Sequence, residues 1–187
     1  MARHGAPPLW ARQPGFATLV LIILEQQVST ASAEAAYRRL EAGASGVTPK
    51  SVRSLGEPGA RAAGLTRQKA GYLVGLADAV LDDRLDLDAV AAAEDDVARA
   101  LLTAVPGLGR WSADVYLLLA LRRPDIWPAG DLALATAVQT SLGLSDRPGP
   151  VEMDRLAERW RPYRAVAARI LWHGYLSGDR PARGARG

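Results

Sequence analysis

The chain contains no cysteine, which excludes disulfides, thiolate zinc sites and cysteine-held iron–sulfur clusters. Histidine is nearly as scarce: His4 and His173 are the only two and stand far apart, so a histidine metal centre or a serine–histidine triad has no local cluster to start from. Lysine is limited to Lys50 and Lys69, and the rest of the positive charge is arginine. Long apolar runs are missing as well. The stretch Ala17 to Leu24 is too short to span a bilayer, which needs about 20 apolar residues. It has the outline of a secretory leader, with a basic start before it and Ala31-Ser32-Ala33 behind it. Yet Pro7, Pro8, Trp10 and Pro14 interrupt the approach, and Glu25-Gln26-Gln27 continue the run as part of an amphipathic helix. We therefore expect an internal helix there and no membrane partner.

β-Branched and aromatic residues are sparse, whereas alanine, leucine and arginine dominate and apolar residues recur at three- and four-residue spacing. This pattern specifies helices throughout and no convincing strand pair. A chain of 187 residues is long enough for one domain, or for two helical lobes enclosing a cleft. The net charge of +3 is small but unevenly spread. Residues 82 to 96 are acidic, and the tail from Arg155 onward is rich in arginine, a side on which a polyanion could dock and which also suits solvated helix faces.

Several helices can be placed by their start and stop signals. The first runs from Pro14 to about Val28, the second from a Ser29 or Thr30 cap through Leu40. Gly43 to Gly46 is a break, Thr48-Pro49 opens a short helix, and Gly56 to Gly64 reads as turn. Thr66 caps a helix over 67–81 with Ala70, Leu73, Leu76, Ala77 and Val80 facing a core. Helices over 95–104 and 110–121 flank Pro106-Gly107-Leu108-Gly109. A proline-interrupted loop, 124–130, then leads to Asp131 at an N-cap, and two helices follow over 151–160 and 162–176.

The turn Val105-Pro106-Gly107-Leu108-Gly109-Arg110 is the first element with chemistry in it. Its glycines permit backbone angles and close approach that a Cβ forbids. The helix that follows points N–H groups and its positive dipole end at the turn, so a phosphate there would meet backbone donors and Arg110 together. About twenty residues on, Trp127-Pro128-Ala129-Gly130-Asp131 delivers a carboxylate to another helix start.

These segments, together with Pro14-Gly15-Phe16, Leu24-Glu25-Gln26-Gln27-Val28-Ser29, Gly64-Leu65-Thr66-Arg67-Gln68-Lys69, Trp160-Arg161-Pro162-Tyr163-Arg164 and Leu171-Trp172, resemble the helix-hairpin-helix glycosylase superfamily and, within it, the DNA-3-methyladenine glycosylase II family. The resemblance implies an all-α core of two helical lobes with a catalytic cleft. One lobe would span about 25–125 and the other 1–24 with 126–177, followed by a flexible tail, 178–187. It implies excision of alkylated purines from double-stranded DNA by hydrolysis of the N-glycosidic bond, performed by a cytoplasmic monomer without a cofactor.

In that family pattern Asp131 is the catalytic carboxylate, placed to stabilise oxocarbenium character on the sugar and to activate water. Trp111 and Trp172 fall on base-pocket positions, where indole faces attract an electron-poor purine. Tyr116 could assist them, although relatives place the pocket tyrosine one residue earlier, where this chain has Val115. Gln27 would fill the gap left by the extruded base while Gln26 shapes the site, and Gly107, Leu108, Gly109 and Arg110 would hold the DNA backbone. Relatives that also cut the backbone carry a lysine where this chain has Trp111, so a monofunctional enzyme is implied. No protein-ligated metal is expected, and a monovalent cation at the hairpin backbone, 105–110, stays open. The preferred lesion stays open too, among 3-methyladenine, 7-methylguanine, 1-methyladenine, hypoxanthine and ethenoadenine. The competing reading is a non-catalytic helix-hairpin-helix DNA-binding protein. The remaining aromatics, Trp10, Phe16, Trp160, Tyr163 and Tyr175, are expected to pack.

Overall fold

A computed structural model describes residues 5–178; His4 and nearly all of the tail expected to be flexible lie outside the described residues. Among the described residues there are ten α-helices, one 3-10 turn and no strand, so the fold is all-α. Among the described residues no helix is long and apolar enough to cross a membrane. The chain divides into two compact units, one made of Arg12–Leu121 and the other of Met1–Ala11 with Arg122–Gly187.

The Arg12–Leu121 unit is built on α1, Phe16–Glu25. Leu19, Val20, Ile22 and Ile23 are completely buried along it, as expected of a helix that is apolar on nearly every side. It packs against α2 (Thr30–Ala44), α4 (Arg67–Leu81) and α7 (Arg110–Leu119). These contacts place 16–24 in this unit, whereas the family resemblance implied 1–24 with the C-terminal helices; so continuous an apolar surface needs partners all round. α1 also stops earlier than the expected Val28, because Gln26 turns extended and Gln27 takes a left-handed φ of 59°.

Side-chain caps fix most of the other boundaries. Ser29, Thr48 and Thr66 each accept a backbone N–H at the start of α2, α3 (Pro49–Ala62) and α4, each worth about 1 kcal/mol. The expected turn at 56–64 is mostly helix: α3 continues to Ala62 across a kink at Gly56, where φ is 65°. A short α5, Leu87–Ala92, lies inside the acidic stretch and is capped by Asp86. It was not foreseen from the sequence, where the acids read only as charge. α6, Asp95–Thr103, packs against both α5 and α7.

The second unit contains α8 (Leu132–Leu142), α9 (Pro150–Ala157) with a 3-10 turn Glu158–Trp160, and α10 (Arg164–Leu176). α8 packs against α10. Trp10 meets His173 edge-on at 6.3 Å between centroids. Tyr163, expected to pack, is instead 62% exposed at the N-cap of α10.

The loop before α8 is anchored at its start and along its length. Arg164 grips Asp125 with Nε on Oδ1 at 2.8 Å and Nη2 on Oδ2 at 2.9 Å, while its own backbone N–H also donates to Oδ1. Two residues later Trp127 is buried and its ring lies 5.2 Å from that of Trp160. Burial alone disfavours charge on Asp125, but the hydrogen bonds from Arg164 and the attraction of Arg164 and Arg161 win and hold its carboxyl below the ordinary 3.8. Asp125→Asn should therefore cost about 2 kcal/mol in a denaturant titration near neutral pH, since it takes the nearer of two carboxylates from a largely enclosed guanidinium and leaves only Glu158, 3.7 Å away. Because the folded value is depressed, this contribution is complete above the unfolded carboxyl range and fades as pH falls through the folded one. Wild type and variant should therefore converge in stability at acid pH, and a difference independent of pH would contradict the assignment.

Candidate active site

Asp131 is the N-cap of α8, as the sequence indicates. Asp131 N–H donates to Pro128 C=O at 2.9 Å, closing the turn that delivers it. Its Oδ1 accepts the backbone N–H of Leu134 at 2.7 Å and the indole Nε1–H of Trp172 at 3.0 Å. The first bond is ordinary capping. The second comes from the third turn of α10 and fixes the carboxylate plane from another element. The positive end of the α8 dipole faces the same group. Trp172 is thus brought to Asp131 as a hydrogen-bond donor, a contact the sequence did not reveal because it joins positions 41 residues apart.

The other expected residues belong to the Arg12–Leu121 unit. The hairpin joins α6 to α7, with Leu108 N–H donating to Val105 C=O at 3.1 Å. Gly107 has φ 94°, and a Cβ there would lie 2.5 Å from Cγ of Tyr72. Backbone angle and the aromatic ring beneath it therefore both require glycine. Leu108 is 2% exposed, so it anchors the turn in the core. Gly109 is the N-cap of α7 and contributes no side-chain cap. Arg110, the first residue of the helix, is about half exposed and pairs with Asp114 at 3.6 Å. Asp114 is fully buried and also accepts from Arg99 of α6 at 2.7 Å. Trp111 follows, half-buried.

Gln26 proves to be structural in its contacts. Its Nε2 donates to Gly107 C=O at 2.8 Å and Ser112 Oγ at 2.9 Å, tying the end of α1 to the hairpin. Gln27, one residue later, is exposed. Tyr116 departs from the expectation of a pocket residue. It is 1% exposed, and its hydroxyl accepts the Gly15 N–H at 2.9 Å, so it is packed beneath the start of α1. Val115, at the position where relatives place the tyrosine, is buried as well, at 4%.

Lys69, Tyr72 and Ser112 were not singled out in the sequence as site residues, although Lys69 carried a signal as one of two lysines in an arginine-rich chain. Its Nζ donates to the backbone carbonyls of Leu24 at 2.7 Å and Gln26 at 2.9 Å. Burial lowers its pKa from the ordinary 10.5.

Two helices joined by a glycine hairpin, with a carboxylate capping a later helix, define a helix-hairpin-helix base-excision repair fold. Residues 20–162 match the family described as HhH-GPD superfamily base excision DNA repair protein, and the chain belongs to that superfamily. It is 35% identical over 165 residues to a Mycobacterium tuberculosis protein described as a probable bifunctional transcriptional activator/DNA repair enzyme, AlkA, covering 82% of this chain and 32% of that one. It is 29% identical over 136 residues to DNA-3-methyladenine glycosylase 2 of Escherichia coli, covering 72% of this chain and 44% of that one. The chain thus spans about a third of the first relative's length and under half of the second's. Among solved structures, a DNA-3-methyladenine glycosidase from Bacillus halodurans superposes with a TM-score of 0.76 at 29% identity, covering 91% and 78% of the two chains. The Schizosaccharomyces pombe 3-methyladenine DNA glycosylase in complex with abasic DNA gives 0.84 at 23% identity over 94% and 87%, a likeness of fold.

The hairpin geometry yields a direct contrast. Gly107→Ala combines a strained φ with a clash against the root of the Tyr72 side chain and should lose about 2 to 4 kcal/mol. Gly109→Ala, at φ −81° with nothing within 4 Å of the added Cβ, should lose no more than about 1 kcal/mol. Chemical denaturation of the two variants checks this; equal losses would contradict the close-approach account.

Proposed function

We propose that this chain is a monofunctional DNA glycosylase that extracts alkylated purines from double-stranded DNA and hydrolyses the N-glycosidic bond, leaving an abasic site. The observation that carries the proposal is the Asp131 carboxylate, held by Leu134 N–H and Trp172 Nε1–H in a member of the helix-hairpin-helix repair superfamily. The names of the E. coli and B. halodurans relatives support 3-methyladenine-type lesions as the substrate class.

Departure of the base leaves positive charge spread over C1′ and the ring oxygen of the deoxyribose. A carboxylate fixed before the reaction stabilises that charge without having to reorganise when it develops. Asp131 also accepts a proton from the attacking water, whose oxygen forms the new bond to C1′ as the purine leaves. Trp172 orients the carboxylate through its N–H edge, and indole faces such as those of Trp111 and Trp172 each suit stacking on an electron-poor purine. With an indole rather than an amine at position 111, no imine to the sugar can form there, so strand cleavage is left to later steps. Gly107, Gly109 and Arg110 hold the DNA backbone at the hairpin, contacts that fix position without reading sequence. Gln27, at the end of α1, occupies the space vacated by the extruded nucleotide.

Asparagine is as good an N-cap as aspartate, so Asp131→Asn removes the charge while retaining the cap. On duplex DNA treated with dimethyl sulfate, free methylated purine should appear with wild type and fall by about 10²- to 10³-fold with the variant. Strands should break at the resulting sites only after alkali. Release by neither protein would leave a DNA-binding module, and equal release by both would remove Asp131 from the chemistry. For the hairpin, Arg110→Ala should weaken duplex binding about equally across sequences and lower the slope of log K against log salt by about 1. An unchanged slope would take Arg110 off the phosphate.

A further inference from the structure

We propose that Lys69 is a positioning residue for Gln27: by clamping the last carbonyls of α1 it holds the following residue in a left-handed conformation that projects its side chain. The proposal rests on the assignment of Gln27 to the space left by the extruded nucleotide.

Three observations converge on it. Gln27 has φ 59°, a conformation that costs a residue with a side chain about 1 kcal/mol or more and persists where surrounding contacts dictate it. It is exposed, so its own side chain is not buried in a core that would impose the angle. The residue before it, however, is held at both ends: the Gln26 carbonyl accepts Lys69 Nζ, and the Gln26 side chain donates to Gly107 C=O and Ser112 Oγ.

The placement of the lysine is itself informative. Lys69 lies in the first turn of α4, where a cation opposes its own helix dipole. It gains instead at the C-terminal end of α1, which has no basic residue in its last turn. There Leu24 C=O and Gln26 C=O lack the N–H partners a continuing helix would supply. Half-buried Nζ satisfies both with charge-assisted bonds. The same α4 face carries Tyr72 against Gly107, so one helix supports both the hairpin and the segment that ends in Gln27. Freed from Lys69, residues 26–28 should relax toward ordinary backbone angles, and Gln27 would reach its place only in a fraction of molecules.

The test uses binding to an abasic analogue, which needs no knowledge of the preferred lesion. Dissociation constants are measured by fluorescence anisotropy for a duplex with one tetrahydrofuran site and for the same duplex undamaged; their ratio is the selectivity. Gln27→Ala should lower the selectivity about fivefold to tenfold, and Lys69→Met should lower it by a similar factor. The double variant should lose no more than either alone, because both act through one side chain. Lys69→Gln, which is uncharged and too short to bridge both carbonyls, is measured in parallel in case Lys69→Met disturbs folding, and should show the same loss. A lysine that served only stability would leave the ratio unchanged and shift the unfolding midpoint alone. Full selectivity in Gln27→Ala would overturn the assignment of Gln27 and the clamp with it. Loss in Gln27→Ala with full selectivity in the Lys69 variants, or losses that multiply in the double variant, would overturn the clamp while leaving Gln27 in place.

Discussion

One carboxylate oxygen accepts two N–H groups from different parts of the chain. Oδ1 of Asp131 takes the Leu134 N–H within its own helix and the Trp172 indole N–H from α10. A capping bond alone would leave the side chain some freedom about its χ2; a second donor arriving from another helix removes most of it. The neighbouring architecture serves this arrangement. Arg164 opens α10 by gripping Asp125, and Trp127 is buried against Trp160, so the loop that ends at Asp131 is pinned to the start of the helix that carries Trp172. Charge stabilisation of the proposed kind depends on such preorganisation, because a carboxylate that had to turn as charge developed would forfeit much of the gain.

The Arg12–Leu121 unit solves a different problem: it keeps a surface turn rigid without giving that turn bulky side chains. Gly107 lies directly on Tyr72, Leu108 is sunk into the core, and the Gln26 amide braces the turn from α1. Asp114 joins Arg99 of α6 to the first turn of α7 and pairs with Arg110. A buried carboxylate between two arginines contributes little net stability once desolvation is counted. Its value here is orientation, because it restrains the arginine that the proposed function directs at a phosphate.

Much of this was legible in the sequence because it rests on local signals. Thr66 marks the start of α4, the glycine hairpin separates α6 from α7, and Asp131 announces the start of α8; each depends on residues within one or two turns of one another. Contacts between distant positions were not legible. The Trp172 bond to Asp131 and the Lys69 bonds to Leu24 and Gln26 join elements whose register is decided by packing. Tyr116 shows the limit most clearly. Its type and approximate place suggested a pocket residue, but α7 is buried from Ser112 to Leu119, and packing alone decides that the ring meets Gly15. The grouping of α1 came from the family resemblance, and an all-round apolar helix does not itself state which neighbours will cover it.

In the proposed reaction the Asp131 carboxylate stabilises positive charge on the sugar of an extruded nucleotide. The most direct measurement compares binding of two duplexes that differ only at the abasic position: a pyrrolidine, cationic where the sugar becomes cationic, and a neutral tetrahydrofuran. Wild type should prefer the cationic duplex by about tenfold or more, as expected of a transition-state mimic, and Asp131→Asn should lose that preference while binding the neutral duplex as wild type does. The same preference in both proteins, or none in either, would contradict the account.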